Sequence, residues 1–190
     1  WESVIQQQLD NLGNTISIEN PYVNVMKYHS DSYIQEASAG GQRYPKDKQE
    51  LKNEIEQGSL VFNYFGHGGE DQLASERLFE KTDAQNLNNR YRYPLFVTVT
   101  CEFTRFDNPY RPTAGEYTYW NPKGGAIAMI TTTRQIGVQT GQDINNFFSA
   151  YLYGFNSTEE ISIAEALKRE KNDYNSSTLM VFYIGDPAII

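Results

Sequence analysis

Leu60-Val61-Phe62-Asn63-Tyr64-Phe65-Gly66-His67-Gly68-Gly69 and Pro94-Leu95-Phe96-Val97-Thr98-Val99-Thr100-Cys101 decide the reading of this chain. Each is an apolar run of strand length that ends on a chemically capable side chain. Continuous apolar runs, as opposed to alternating ones, mark strands buried on both faces, and such strands belong to parallel sheets covered by helices. If the two runs are parallel neighbours, His67 and Cys101 emerge at one rim of one sheet. Crevices that hold ligands in open α/β sheets form at that carboxyl rim. An imidazole beside a thiol there is a candidate nucleophile pair. A thiol with a reference pKa near ~8.5 is only a few per cent ionised at neutral pH and needs such a partner. The competing reading of a lone cysteine is a small buried hydrophobe.

Working outward, residues 1–11 predict a helix with Trp1, Val4, Ile5, Gln8, Leu9 and Leu12 near one face and Gly13 as its stop. Tyr22–Tyr28 alternates and predicts a strand, followed by a loop carrying Ala39-Gly40-Gly41 and Pro45. Lys46–Gln57 predicts a charged helix, with Leu51 and Ile55 inward and Gly58 at its end. A polar stretch with a short helical piece near 83–88 separates the two apolar runs. After Cys101 comes a long Pro-containing loop to about Thr113, then a helical turn or two over Ala114–Trp120 and a third buried strand over Gly125–Thr131. Gln142–Tyr153 and Ile161–Tyr174 predict helices, the second with Ile163, Ala164, Leu167 and Glu170 at helical spacing. Leu179–Ile184 predicts a last strand, stopped by Gly185-Asp186-Pro187. Strands alternating with helices predict one α/β domain over 1–190, with no repeat and no linker.

Composition narrows the function. The chain has 190 residues, 39% hydrophobic and 14% aromatic, enough for a substantial core. Its formal charge is −8, and its 16 basic residues are scattered, which argues against a nucleic-acid partner. No apolar run approaches the ~18 residues of a membrane-spanning helix. One cysteine forbids an internal disulfide without fixing the compartment. The chain opens at Trp1 without an initiating Met and without a signal peptide, and is expected to be a piece of a longer protein.

The motifs resemble those of the gingipain-type (clan CD) cysteine peptidases. That family carries its histidine in an apolar-run–His-Gly motif, here Val61–Gly68, and its cysteine at the end of the next strand, here Val97–Cys101. Ile184-Gly185-Asp186-Pro187 is similar to the end of a gingipain-type catalytic domain. Within the family, Ala39–Pro45, Asn63–Asp71, Thr104–Pro109 and Trp120–Ile127 are similar to the sortase-like branch that serves type IX secretion in Bacteroidota. The resemblance spans essentially the whole chain. It implies a caspase-like three-layer αβα sandwich with a mostly parallel sheet, lacking its first strand here.

The resemblance also implies an activity. Such enzymes remove the C-terminal sorting domain of secreted cargo at the outer membrane and join the new carboxyl end to a surface glycolipid. The expected partners are cargo sorting domains, the glycolipid and an outer-membrane barrel shuttle; the expected location is the cell surface. Cys101 is then the nucleophile and His67 the acid–base. The Gly68 N–H, with that of Cys101, is the oxyanion donor, a tight turn being the alternative reading of Gly68-Gly69.

Other residues stay open. Glu70 or Asp71 is a candidate to orient the imidazole, or else a solvated loop acid. Glu102 is expected to point away from the thiol. Thr132, Thr133 and Arg134, after the third buried strand, are the candidate substrate-binding residues, pairing with extended substrate backbone. Arg134 or Arg105 is a candidate to hold a carboxylate. Asp31 is a candidate to line a specificity pocket or to cap, and His29 is expected to be structural. Two His and one Cys make a four-ligand zinc site implausible without carboxylates. No cofactor is expected; Asp71, Asp107 and Asn108 are calcium candidates, with no spacing that demands the ion. Two rivals stand beside this reading: a plain secreted endopeptidase with water as acceptor, and a non-catalytic binding module that keeps the fold.

Overall fold

The computed structural model describes residues 2–174 and 180–190, so Trp1 and Leu179, assigned above to the first helix and the last strand, lie outside the described residues. The two deciding runs form β3 (Val61–Phe65) and β7 (Leu95–Val99). They are parallel neighbours, with Val61 opposite Leu95 and Phe65 opposite Val99. The third run forms β8 (Ala128–Thr132), parallel to β7, and β9 (Val181–Ile184) closes the sheet antiparallel to β8. The order is β3-β7-β8-β9.

Every residue of β7 and β8 is buried because both faces are covered. On one face Leu95, Val97, Val99 and Ile130 meet Ile5 of α1 (Glu2–Glu19), Ile144 and Phe148 of α5 (Val138–Leu152) and Leu167 of α6 (Ile163–Tyr174). On the other, Phe62, Phe96 and Met129 meet Ile55 of α2 (Pro45–Gln57), Ala84 of α3 (Lys81–Asn86) and Ala114 of α4 (Ala114–Trp120). The result is a three-layer αβα sandwich around a mostly parallel sheet, as the sequence leads one to expect.

Four local expectations are corrected. The first helix runs through Gly13 to Glu19, because that glycine is a notch for a neighbour and not a stop. A Cβ there would stand 3.0 Å from Lys27 Cε, and the Lys27 ammonium crosses the helix to donate to Asp10 O and Asn14 Oδ1. Tyr22 and Val23 lie in a turn after the first helix and residues 24–29 form no ladder with the described residues, ending in a 3-10 turn at Ser30–Ser32. An alternating pattern specifies a strand only when an edge is there to receive it. The Ala39-Gly40-Gly41 loop is a hairpin of β1 (Glu36–Ser38) and β2 (Gly41–Arg43). The polar stretch after His67 folds into a small antiparallel sheet of β4 (Gly68–Gly69), β5 (Gln72–Leu73) and β6 (Phe79–Glu80). Leu73 and Phe79 of that sheet are fully buried in the same cluster as Phe96.

Candidate active site

His67 and Cys101 occupy equivalent positions, each two residues beyond the last register pair, Phe65–Val99. Neighbouring strands lie about 4.8 Å apart, so both residues leave the sheet at the same carboxyl rim. The imidazole residue is exposed and the cysteine half-buried, its Sγ 3.9 Å from Ile136 O just ahead of α5. α5 approaches this rim closely: a Cβ on Gly141 would meet Phe65 Cε2 at 2.7 Å and Val99 Cγ1 at 3.1 Å.

The histidine turn is held by its backbone. Its carbonyl accepts from Tyr64 Oη at 2.6 Å and from Ala74 N–H at 2.8 Å. Burial, with the charge of Glu76, pushes the Tyr64 phenol above its ordinary range, keeping it a donor. The Ala74 bond makes His67–Ala74 a hydrogen-bonded pair of the antiparallel ladder. By alternation the next pair, Gly68–Leu73, is not hydrogen-bonded, so the Gly68 N–H turns away from β5. Gly68 is pressed onto the residue before the cysteine: a Cβ on it would lie 2.4 Å from Thr100 Oγ1 and 2.9 Å from Cγ2. Only glycine permits that approach.

The loop after Cys101 is fastened on both sides. Its Glu102 N–H donates to Arg134 O and its Thr104 N–H to Thr132 O, an antiparallel pattern against the end of β8. Phe103 is fully buried. Glu70 forms the other anchor: its carboxylate, 11% exposed, accepts from Arg105, Asn108 and Arg111, and its carbonyl accepts from Ala114 N–H. Asp71 pairs with Lys81 and Arg111, and these cations hold its carboxyl below the usual range. Both carboxylates are thus paired with cations and fasten the loop to the rest of the chain. Glu102, at φ +55°, turns its carboxylate to Arg105.

The three candidate substrate-binding residues divide. Thr132 and Thr133 are buried, and the Thr132 hydroxyl donates to Thr100 O. Their backbone is used as well: Thr132 O and Arg134 O accept from the chain's own residues 102–104, and Thr133 N–H donates to Met180 O. The edge that sequence reasoning gave to a substrate strand is therefore occupied by the loop after the cysteine. Arg134 is exposed, but forks onto Asp107 with both nitrogens, holding that carboxyl low.

The calcium candidates do not converge. Asp107 serves Arg134, Asn108 donates to Glu70, and Asp71 serves Lys81 and Arg111. No group of three or more His, Cys, Asp or Glu among the described residues is arranged to hold a metal. Asp31 sits exposed in the 3-10 turn. His29 pairs with Asp10 and Gln6 of α1.

A mostly parallel sheet between helix layers matches the caspase-like fold of gingipain. The chain belongs to peptidase family C25, whose family model matches residues 2–190. Among solved structures it is similar to the Arg-specific cysteine proteinase gingipain R (RgpB). They are 18% identical with a TM-score of 0.63, covering 75% of this chain and 36% of that one. The complex of Porphyromonas gingivalis RgpB pro- and mature domains gives 17% identity and the same TM-score and coverage. A further protease structure gives 18% identity and a TM-score of 0.51, over 73% of this chain and 36% of that one. The chain thus spans about a third of the length of the solved chains it matches. No functionally curated protein matches the sequence.

Proposed function

We propose that this chain is the catalytic unit of a cysteine peptidase in which Cys101 is the nucleophile and His67 the acid–base. The observation that carries the reading is the shared register of these two residues at one rim of a family C25 fold. His67 takes the thiol proton, and the thiolate attacks the scissile carbonyl carbon, forming a C–S bond as the carbonyl electron pair moves to oxygen. The Gly68 and Cys101 N–H groups receive that oxyanion. Its collapse breaks the C–N bond, His67 protonates the departing amine, and a thioester remains on Cys101. An incoming nucleophile then attacks the thioester, giving its proton to His67, and the C–S bond breaks to restore the thiolate.

The identity of that nucleophile separates two enzymes. The motifs at 39–45, 63–71, 104–109 and 120–127 support a PorU-type sortase of the type IX secretion system. Such an enzyme takes cargo bearing a C-terminal sorting domain, works at the outer membrane beside a barrel shuttle, and transfers the acyl group to a surface glycolipid. Water as acceptor makes it a gingipain-like endopeptidase, the reading favoured by the likeness to gingipain R. Mass analysis of released cargo distinguishes them: a glycolipid adduct at the new carboxyl end supports transfer, and a free acid alone refutes it. Cys101→Ala in the full-length protein is expected to abolish maturation with the fold intact; undiminished processing refutes both enzymes and leaves the binding module.

A further inference from the structure

Buried threonines gather at the carboxyl ends of β7 and β8, and Thr98, Thr104, Thr131 and Thr132 have hydroxyl partners. Thr98 donates to Thr131 Oγ1 at 2.9 Å, Thr104 shares a bond with Thr131 at 2.8 Å, and Thr132 donates to Thr100 O. The exception is Thr100, 1% exposed, whose Oγ1 has no hydrogen-bond partner among the described residues. A buried hydroxyl left unpaired is destabilising, and valine has nearly the same shape without that penalty. Valine is in fact the residue at positions 97 and 99 of the same strand. Packing alone therefore does not account for a hydroxyl at 100.

Its position offers an account. Thr100 immediately precedes Cys101, and its Oγ1 is the atom nearest to where a Gly68 Cβ would stand, 2.4 Å away. It thus joins the segment that carries the Cys101 N–H to the one that carries the Gly68 N–H, the two oxyanion donors of the proposed peptidase. The Gly68 N–H and C=O point away from β5 in the plane of the small sheet, and Thr100 packs against the same residue from the side a Cβ would occupy.

We propose that Thr100 is a positioning residue for acyl transfer. Its hydroxyl, unpaired in the resting chain, bonds the Gly68 peptide when a substrate carbonyl settles into the site, and so fixes the spacing of the two oxyanion donors. The inference rests on the peptidase reading above. A bond made only as the reaction proceeds raises the rate of the chemical step and leaves ground-state binding unchanged.

The test compares Thr100→Val and Thr100→Ser in the full-length protein, with Cys101→Ala as control. Three quantities are measured: the p-nitrophenolate burst from p-nitrophenyl acetate, which reads acylation; alkylation by iodoacetamide, which reads the thiol without an oxyanion; and Tm. Thr100→Val is expected to slow the burst about 10-fold, short of the ~10²–10³ for losing an oxyanion donor outright. It should leave alkylation unchanged and raise Tm by about 2–4 °C. Thr100→Ser, which keeps the hydroxyl, should retain the wild-type burst. A wild-type burst in Thr100→Val overturns the proposal, as does a parallel fall in alkylation or a serine variant as slow as the valine one. A burst that survives in Cys101→Ala instead removes the peptidase reading itself, and the proposal with it.

Discussion

Replacing Gly68 with alanine tests the contact that joins the two halves of the site. The added methyl would meet Thr100 Oγ1 at 2.4 Å and Cγ2 at 2.9 Å. A relaxed carbon–oxygen contact lies near ~3.3 Å, so the hairpin must move by roughly 0.9 Å or the threonine must be driven off its rotamer. The threonine has little room to yield, since it is buried at the end of β7 with its carbonyl held by Thr132. Overpacking of this kind costs about 1–3 kcal/mol, or a Tm lower by roughly 2–4 °C per kcal/mol in a chain of this size. A displacement near 1 Å in a reacting group lowers rates about 10²-fold, so acylation should fall by that factor. Adding Thr100→Ala removes both clashing atoms and leaves Thr100 Cβ as the nearest neighbour, at 3.2 Å. The double variant should therefore recover most of the lost Tm, with a coupling above about 1 kcal/mol. Tm and the p-nitrophenyl acetate burst are measured on all three variants. An unchanged Tm in Gly68→Ala, or a double variant no more stable than the sum of the singles, refutes the claim that these residues are in forced contact.

Two further predictions concern the frame of the site. Glu170 is fully buried on α6 with both carboxylate oxygens unpartnered among the described residues, and burial pushes it from its ordinary 4.5 up to about 7. Between those values the folded chain holds a proton that the unfolded chain has released, so stability is full below about pH 4.5 and falls as pH rises through 7, by about 3 kcal/mol. Urea unfolding at pH 5 and pH 8 should show this loss, and Glu170→Gln should remove it; equal pH slopes in the two proteins contradict the assignment. Glu70→Ala strips the shared acceptor from Arg105, Asn108 and Arg111. The loop at 102–113 should loosen, seen as faster tryptic cleavage after Arg105 with the rest of the chain intact, and an unchanged digestion rate counts against the anchor.

The sequence carried the central strands because β7 and β8 are buried on both faces, and that condition writes itself as unbroken apolar runs. With those strands and their order came the rim and the two residues on it. The small sheet after His67 was not legible, since strands of two residues are too short to display a period. Gly13 was misread because the lysine that needs the notch lies fourteen positions later. The partners that Thr132 and Thr133 have within the chain were not legible for a different reason. Exposure of a backbone edge depends on where a neighbouring loop falls, and nothing in Glu102-Phe103-Thr104 announces that it folds back on β8. Thr100 reads as one more β-branched strand residue; only the missing partner of its hydroxyl distinguishes it, and sequence does not record partners.

The antiparallel entry of β9 has a practical consequence. Val181 stands beside Thr132 at the reactive end of the sheet, whereas Ile184 stands beside Met129 and the chain then leads to Ile189, whose carbonyl accepts from Ile163 N–H at the start of α6. Residues 186–190 are therefore carried about a strand's length away from the thiol. An affinity handle or a surface tether placed in this segment sits at the opposite end of the sheet from His67 and Cys101, so immobilised protein should react with large substrates as readily as protein in free diffusion.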